Sequence, residues 1–258
     1  MAVQTSPAPT GQTATLLVLP AETIPRRLAN DKVCLLPRER NSYANGMTMK
    51  SSQEWAPPPG TAALIFDCDG TLADTMPAHY CAWLSMLRPY GIPFPEDRFY
   101  AMGGMPTAQI IRVLAQDAGV SLSEVEVERM VHCKEETFLR HLQEVRRIEP
   151  VVRIAARYRG QLPLAVASGG YRHTITRTLV HLDLLDWFDV LVTAEDTPRH
   201  KPEPDVFLEA ARRLGVPPAT CVVFEDTDIG LQAASHAQMV AVDVRPWREA
   251  WWMSLRRQ

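Results

Sequence analysis

Two carboxylates one residue apart close an apolar run of this 258-residue chain: Ala62-Ala63-Leu64-Ile65-Phe66 leads into Asp67-Cys68-Asp69-Gly70-Thr71-Leu72. Such a run reads as a strand buried on both faces, as in a parallel sheet. Side chains at i and i+2 of a strand point the same way. Asp67 and Asp69 therefore converge at the carboxyl end, where open α/β sheets place their ligands. Paired acids repel and raise one another's pKa, and a divalent cation with a phosphate is the simplest partner set that offsets this. By the same alternation Cys68 points away from the pair, into the core.

Three further clusters fall where other strands end. Ser168-Gly169-Gly170 follows the run Leu164–Ala167, Lys201-Pro202-Glu203-Pro204 opens a helix after a third strand, and Phe224-Glu225-Asp226-Thr227-Asp228 ends a fourth. Lys201 stands out because only Lys32, Lys50, Lys134 and Lys201 are lysines among the 27 basic residues. Each cluster also has an ordinary reading: paired acids cap helices, Ser-Gly-Gly makes a turn, a lone lysine is a solvated charge. Asp228 reads as the cap of the following helix. His79, His173, His181 and His236 read as surface or satisfied side chains, with His79 and Asp74-Thr75 near the entry to a helical stretch. Four clusters at four strand ends favour a site.

The elements that must position them alternate as a parallel sheet requires. Strands are predicted over Ala62–Phe66, Leu164–Ala167, Val190–Thr193, Val222–Phe224 and Val240–Val244. Helices are predicted over Arg172–Leu182, Pro204–Leu214 and Asp228–Ala237. Between the first two strands the pattern is helical throughout (Ala78–Leu87, Thr107–Ala118, Ser123–Arg147), which reads as a cap over the site. The fold class is thus α/β: a Rossmann-like parallel five-stranded sheet with an inserted α-helical cap. The expected division is a flexible extension at 1–60, holding eight of the 21 prolines, a catalytic core at 61–75 and 150–246, the cap at 76–149 and a C-terminal tail at 247–258. Trp247, Trp251 and Trp252 in that tail read as a docking contact with the core.

Composition narrows the function classes. A net charge of −3 with no basic stripe argues against nucleic-acid binding. Five cysteines without CxxC spacing favour a reducing compartment, hence the cytoplasm. No apolar run reaches the roughly 18 residues that span a bilayer.

In order and spacing, the four clusters resemble the motif series of the haloacid dehalogenase-like hydrolase superfamily over residues 62–245. The resemblance implies an α/β core performing phosphoryl transfer, with Asp67 as nucleophile and Asp69 as general acid/base. It implies Mg2+ held by Asp67, the backbone carbonyl of Asp69 and Asp226, with Glu225 a direct or outer partner. Thr71, Ser168, Gly169 and Lys201 would bind phosphate or substrate. The pattern Phe224-Glu225-Asp226 with Gly230, and Asp74-Thr75 with His79, resemble the β-phosphoglucomutase-like branch. Mutases of that branch carry a basic pair about a cap-loop glycine; aligned on Gly104, Gly103 and Thr107 stand there instead. Gly104-Met105-Pro106-Thr107 is similar to the fructose-1-phosphate/6-phosphogluconate phosphatase group. The expected function is Mg2+-dependent hydrolysis of a small sugar phosphate by a monomer or weak dimer. The alternatives are a sugar-phosphate mutase and a non-catalytic binding protein on the same fold. A phosphonatase would need a cap lysine, and Lys134, the sole candidate, reads as far from the expected loop.

Overall fold

A computed structural model of the chain describes residues 55–255. Five strands, β1 (Ala63–Phe66), β2 (Leu164–Ala167), β3 (Val190–Val192), β4 (Cys221–Glu225) and β5 (Val240–Asp243), form one parallel sheet in the order β3-β2-β1-β4-β5. Each strand is short and apolar, and alternation sends its side chains to two separate cores. Leu64, Phe66, Val166, Val222 and Phe224 pack on α5 (Glu149–Tyr158), α6 (Arg172–His181) and Trp247 of α9 (Arg245–Leu255). Ala63, Ile65, Ala165, Ala167 and Val223 pack on α7 (Asp205–Leu214) and α8 (Asp228–His236). The fold class is the predicted one.

The chain runs from β1 outward through β2 to β3, then returns to the other side of β1 with β4. The switch point therefore lies between β1 and β4, and the acids of both strands leave the sheet there. Phe66 and Phe224 are register partners, fully buried, with rings stacked 4.6 Å apart. Burying each contributes about 1.5–3 kcal/mol and fixes the last strand residues before Asp67 and just before Glu225.

Between β1 and β2 lie α1 (Met76–Leu87), α2 (Glu96–Ala101), α3 (Thr107–Asp117) and α4 (Glu124–Arg140). The start of α4 is set by a capping box between Ser123 and Glu126. The helix predicted over Ser123–Arg147 stops at Arg140. A short turn follows, because Leu142, Val145 and Ile148 must reach back into the sheet-side core. Entry to and exit from this insert run side by side: the Asp74 N–H donates to Arg146 O and the Ile148 N–H to Leu72 O, both at 2.9 Å.

Residues 1–54 of the predicted extension lie outside the described residues. Residues 55–60 are not simply a linker: the Trp55 ring lies 4.9 Å from Phe224, and its carbonyl accepts from Arg157 Nη1. The boundary drawn at 246/247 falls inside α9, which begins at Arg245. Trp247 is buried in the core and Trp251 packs against it. Thr227, not Asp228, caps α8, accepting from the Gly230 N–H; Asp228 pairs with Arg245. Among the described residues no helix is long and apolar enough to cross a membrane.

Candidate active site

The ends of β1, β2 and β4 and the helical insert enclose a cavity lined by Asp67, Asp69, Ser168, Gly169, Lys201 and Glu225 from the sheet side. Met76, His79, Gly103, Thr107, Lys134 and Glu135 line it from the insert. The loop at Gly104 leans onto the sheet side. Its φ is +86°, and a Cβ there would meet Ile229 Cδ1 at 2.7 Å, so only glycine allows this approach.

Asp67 continues the ladder of β1, its N–H donating to Phe224 O. Lys201 is buried between two acids, with Nζ donating to Asp67 Oδ1 at 2.7 Å and to Glu225 Oε1 at 2.8 Å. Burial pushes the Asp67 carboxyl well above the usual range; Lys201 pulls it down, while Glu225, Asp226 and Asp69 push it further up. For Lys201 the two carboxylates outweigh burial and hold its ammonium above the usual lysine value.

Asp69 has a different environment. Burial works to raise it, but hydrogen bonds from His79 and Thr75, with the charge of Lys134 nearby, hold its carboxyl below the usual value. Thr75 Oγ1 donates to Asp69 Oδ1 at 2.7 Å, and His79 Nε2 lies 3.3 Å from the same oxygen. His79 is therefore not a surface side chain. It is stacked on Phe138, with its Nδ1 3.0 Å from Lys134 Nζ. Lys134 in turn bonds Glu135, which accepts from Thr174 of α6. Lys134, read as remote, is buried and lines the cavity, since α4 packs along α1. Its rarity in the sequence was the available signal.

Ser168 Oγ accepts from the Gly170 N–H at 3.0 Å, and its own N–H is used by Val192 O. Glu225 bonds Lys201 through Oε1 and the Thr227 N–H and hydroxyl through Oε2. A Cβ at Gly230 would sit 1.8 Å from Glu225 Oε1, so the glycine leaves room for this carboxylate. Thr71 departs from expectation. It is fully buried, away from the cavity lining, and its hydroxyl donates to Asp226 Oδ1 at 3.1 Å. The left-handed turn at Gly70 (φ +87°) turns it inward. Asp226 also accepts, through Oδ2, from Arg248 of α9, a residue no motif singled out. Burial, opposed by Arg248, raises Asp226 to about 6.

The donor set fits a hard divalent cation. Asp67 and Asp226 offer carboxylate oxygens and Asp69 a backbone carbonyl. Of the four carboxylates, Asp67 and Glu225 are bonded by Lys201 and Asp226 by Arg248, while Asp69 pairs with His79 and Thr75. Among the described residues no three His, Cys, Asp or Glu side chains form a metal cluster; the predicted set needs only two such side chains.

The profile of the haloacid dehalogenase-like hydrolase family matches residues 64–244. The chain belongs to this family. The hydrolase is 38% identical to fructose-1-phosphate phosphatase YqaB of Escherichia coli (strain K12) over 186 residues, 71% of this chain and 96% of that protein. It is 27% identical to the β-phosphoglucomutase of Bacillus subtilis (strain 168), over 70% of this chain and 82% of that one. Among solved structures, a hydrolase from Pseudomonas syringae superposes with a TM-score of 0.65 at 27% identity, covering 71% of this hydrolase and 84% of that chain.

Proposed function

We propose that this hydrolase is a Mg2+-dependent phosphatase acting on a small sugar phosphate through an aspartyl-phosphate on Asp67. The observation that carries the reading is the convergence of Asp67, Asp69, Ser168 and Lys201 on one cavity beneath the helical insert. The likeness to a fructose-1-phosphate phosphatase across nearly all of that protein supports the substrate class. The reading assigns residues 61–75 and 150–246 to the core, which Trp55 and the remainder of α9 extend, and residues 76–149 to the cap.

In the first half-reaction a carboxylate oxygen of Asp67 attacks phosphorus, the bond to the sugar oxygen breaks, and Asp69 protonates the departing oxygen. In the second, Asp69 takes a proton from water, the water oxygen attacks phosphorus, and the bond to Asp67 breaks to release phosphate. Asp69 as held here favours its carboxylate, the form the second half needs. An arriving phosphate dianion adds negative charge and raises its pKa, favouring the protonated form the first half needs. Lys201 and the Ser168 hydroxyl stabilise the negative oxygens of the transferring group. Asp67, the Asp69 carbonyl and Asp226 would hold Mg2+, which supplies charge neutralisation on the phosphoryl oxygens.

Release of inorganic phosphate across a panel of sugar phosphates, with Mg2+ and with EDTA, tests the reading. Turnover of at least one sugar phosphate with Mg2+, abolished in Asp67→Asn while the fold persists, is expected. Wild-type protein that releases no phosphate from the panel favours a binding role. Isomerisation that needs a sugar bisphosphate, without phosphate release, favours the mutase; among the described residues of the insert that line the cavity, Lys134 is the lysine that suits it, and Glu135 is paired with it.

A further inference from the structure

The family match ends at residue 244, and α9 starts at the next residue. This helix nevertheless reaches the strand-end acids. Arg245 bonds Asp243 and Asp228, and buried Trp247 anchors the first turn in the core. Arg248, one residue further, then points toward the start of the β1 loop. Its Nη1 donates to Gly70 O at 2.9 Å and to Asp226 Oδ2. The guanidinium lies over the Trp252 ring, 4.9 Å from its centroid, and Trp252 Nε1 donates to Asp74 Oδ2. The Arg248 and Asp226 side chains are 11% and 5% exposed. The Arg248 Nε–H is buried without a hydrogen-bond partner, so the side chain accepts a cost to reach Asp226.

Asp226 is thus held from both sides, by Thr71 on Oδ1 and by Arg248 on Oδ2. A carboxylate has about four lone-pair positions, so these bonds leave room for a further cation. We propose that Arg248, from a helix outside the family-matched segment, is a resident cation of the metal site that holds Asp226 in position and, by its charge, weakens binding of the divalent ion. The proposal rests on Asp226 being a metal ligand. Arg248 is a positioning residue here: it acts on the carboxylate and touches no reacting atom. With a fixed positive charge on Asp226, the acid cluster stays assembled when the divalent ion leaves.

The test uses full-length, metal-free protein and Mg2+ alone, without substrate. Calorimetric titration compares wild type, Arg248→Met and Arg248→Lys. Arg248→Met is expected to bind Mg2+ about tenfold more tightly or better, and Arg248→Lys to stay within about threefold of wild type. Wild-type affinity or weaker binding in Arg248→Met, even with a lowered Tm, overturns the proposal and leaves Arg248 a structural prop. Asp226→Asn separates the two levels: if it keeps Mg2+ binding, the reading of Asp226 as a ligand fails whatever Arg248 does. If the Arg248 variants do not fold, an Mg2+ titration of wild type decides, followed by the assigned Arg248 Nε–H resonance. A saturable shift is expected; a resonance indifferent to saturating Mg2+ overturns the proposal.

Discussion

Lys201 joins Asp67 to Glu225: one ammonium lies 2.7 Å from the first carboxylate and 2.8 Å from the second, and its side chain is 2% exposed. Among the described residues it alone bonds both the strand-end acid of β1 and that of β4. Removing one partner from a buried ionic set leaves the others uncompensated. Lys201→Met is therefore expected to cost about 3–5 kcal/mol in denaturant unfolding and to abolish phosphate release. Adding Glu225→Gln should recover part of the stability and none of the activity; a double variant no more stable than the single one would count against the bridge.

Gly230 reverses an ordinary rule. Glycine within a helix is roughly 0.5–1 kcal/mol worse than alanine, so Gly230→Ala in α8 would normally stabilise. Here the new Cβ would fall 1.8 Å from Glu225 Oε1 and 2.0 Å from its carboxyl carbon. Gly230→Ala is expected to lower Tm and displace Glu225 from Lys201, with phosphatase activity falling alongside. A raised Tm would contradict this.

Asp226 predicts a pH dependence of definite sign. Its pKa is raised from 3.8 to about 6 in the folded protein, chiefly by burial. A folded-state acid raised above its unfolded value is destabilising when ionised, and the penalty is relieved as pH falls through 6. Metal-free wild type should therefore gain stability relative to Asp226→Asn between pH 7 and pH 4, by at most on the order of 3 kcal/mol. Mg2+ affinity should fall over the same window, because proton and cation compete for the same oxygens. Denaturant midpoints that differ by a constant across this window would refute it.

Thr75 and His79 hold Asp69 in the opposite direction, below the usual carboxylate value. Thr75→Val removes the 2.7 Å bond and should raise the Asp69 pKa. The alkaline limb of the kcat/KM profile, which reports the free enzyme's essential acid in the first half-reaction, should move to higher pH. An unmoved limb would separate Thr75 from Asp69's titration.

The four strand-end clusters were legible because each follows a short apolar run, and strand alternation gives the direction of every side chain in it. That logic aimed Asp67 at the cavity and sent Cys68 into the core, while Lys201 was marked by the rarity of lysine in this chain and its place before a helix start. It failed where direction depends on a turn or on tertiary packing. Thr71, given a phosphate role by the family resemblance alone, lies past a left-handed glycine, where strand alternation no longer gives a side chain's direction. His79 and Lys134 face one another across two helices separated by 55 positions, and no local period reports such a meeting. Arg248 sits 22 positions from Asp226; only Pro246 at the start of α9 hinted that the tail was a helix at all.

The adjacent crossings into and out of the insert, tied by the bonds from Asp74 to Arg146 and from Ile148 to Leu72, have a consequence for how such enzymes diversify. Everything between them leaves and re-enters the sheet through one narrow doorway. A different set of helices could be grafted there without moving a strand, so the surface that chooses the substrate can drift or be exchanged while the carboxylates at the strand ends stay in register.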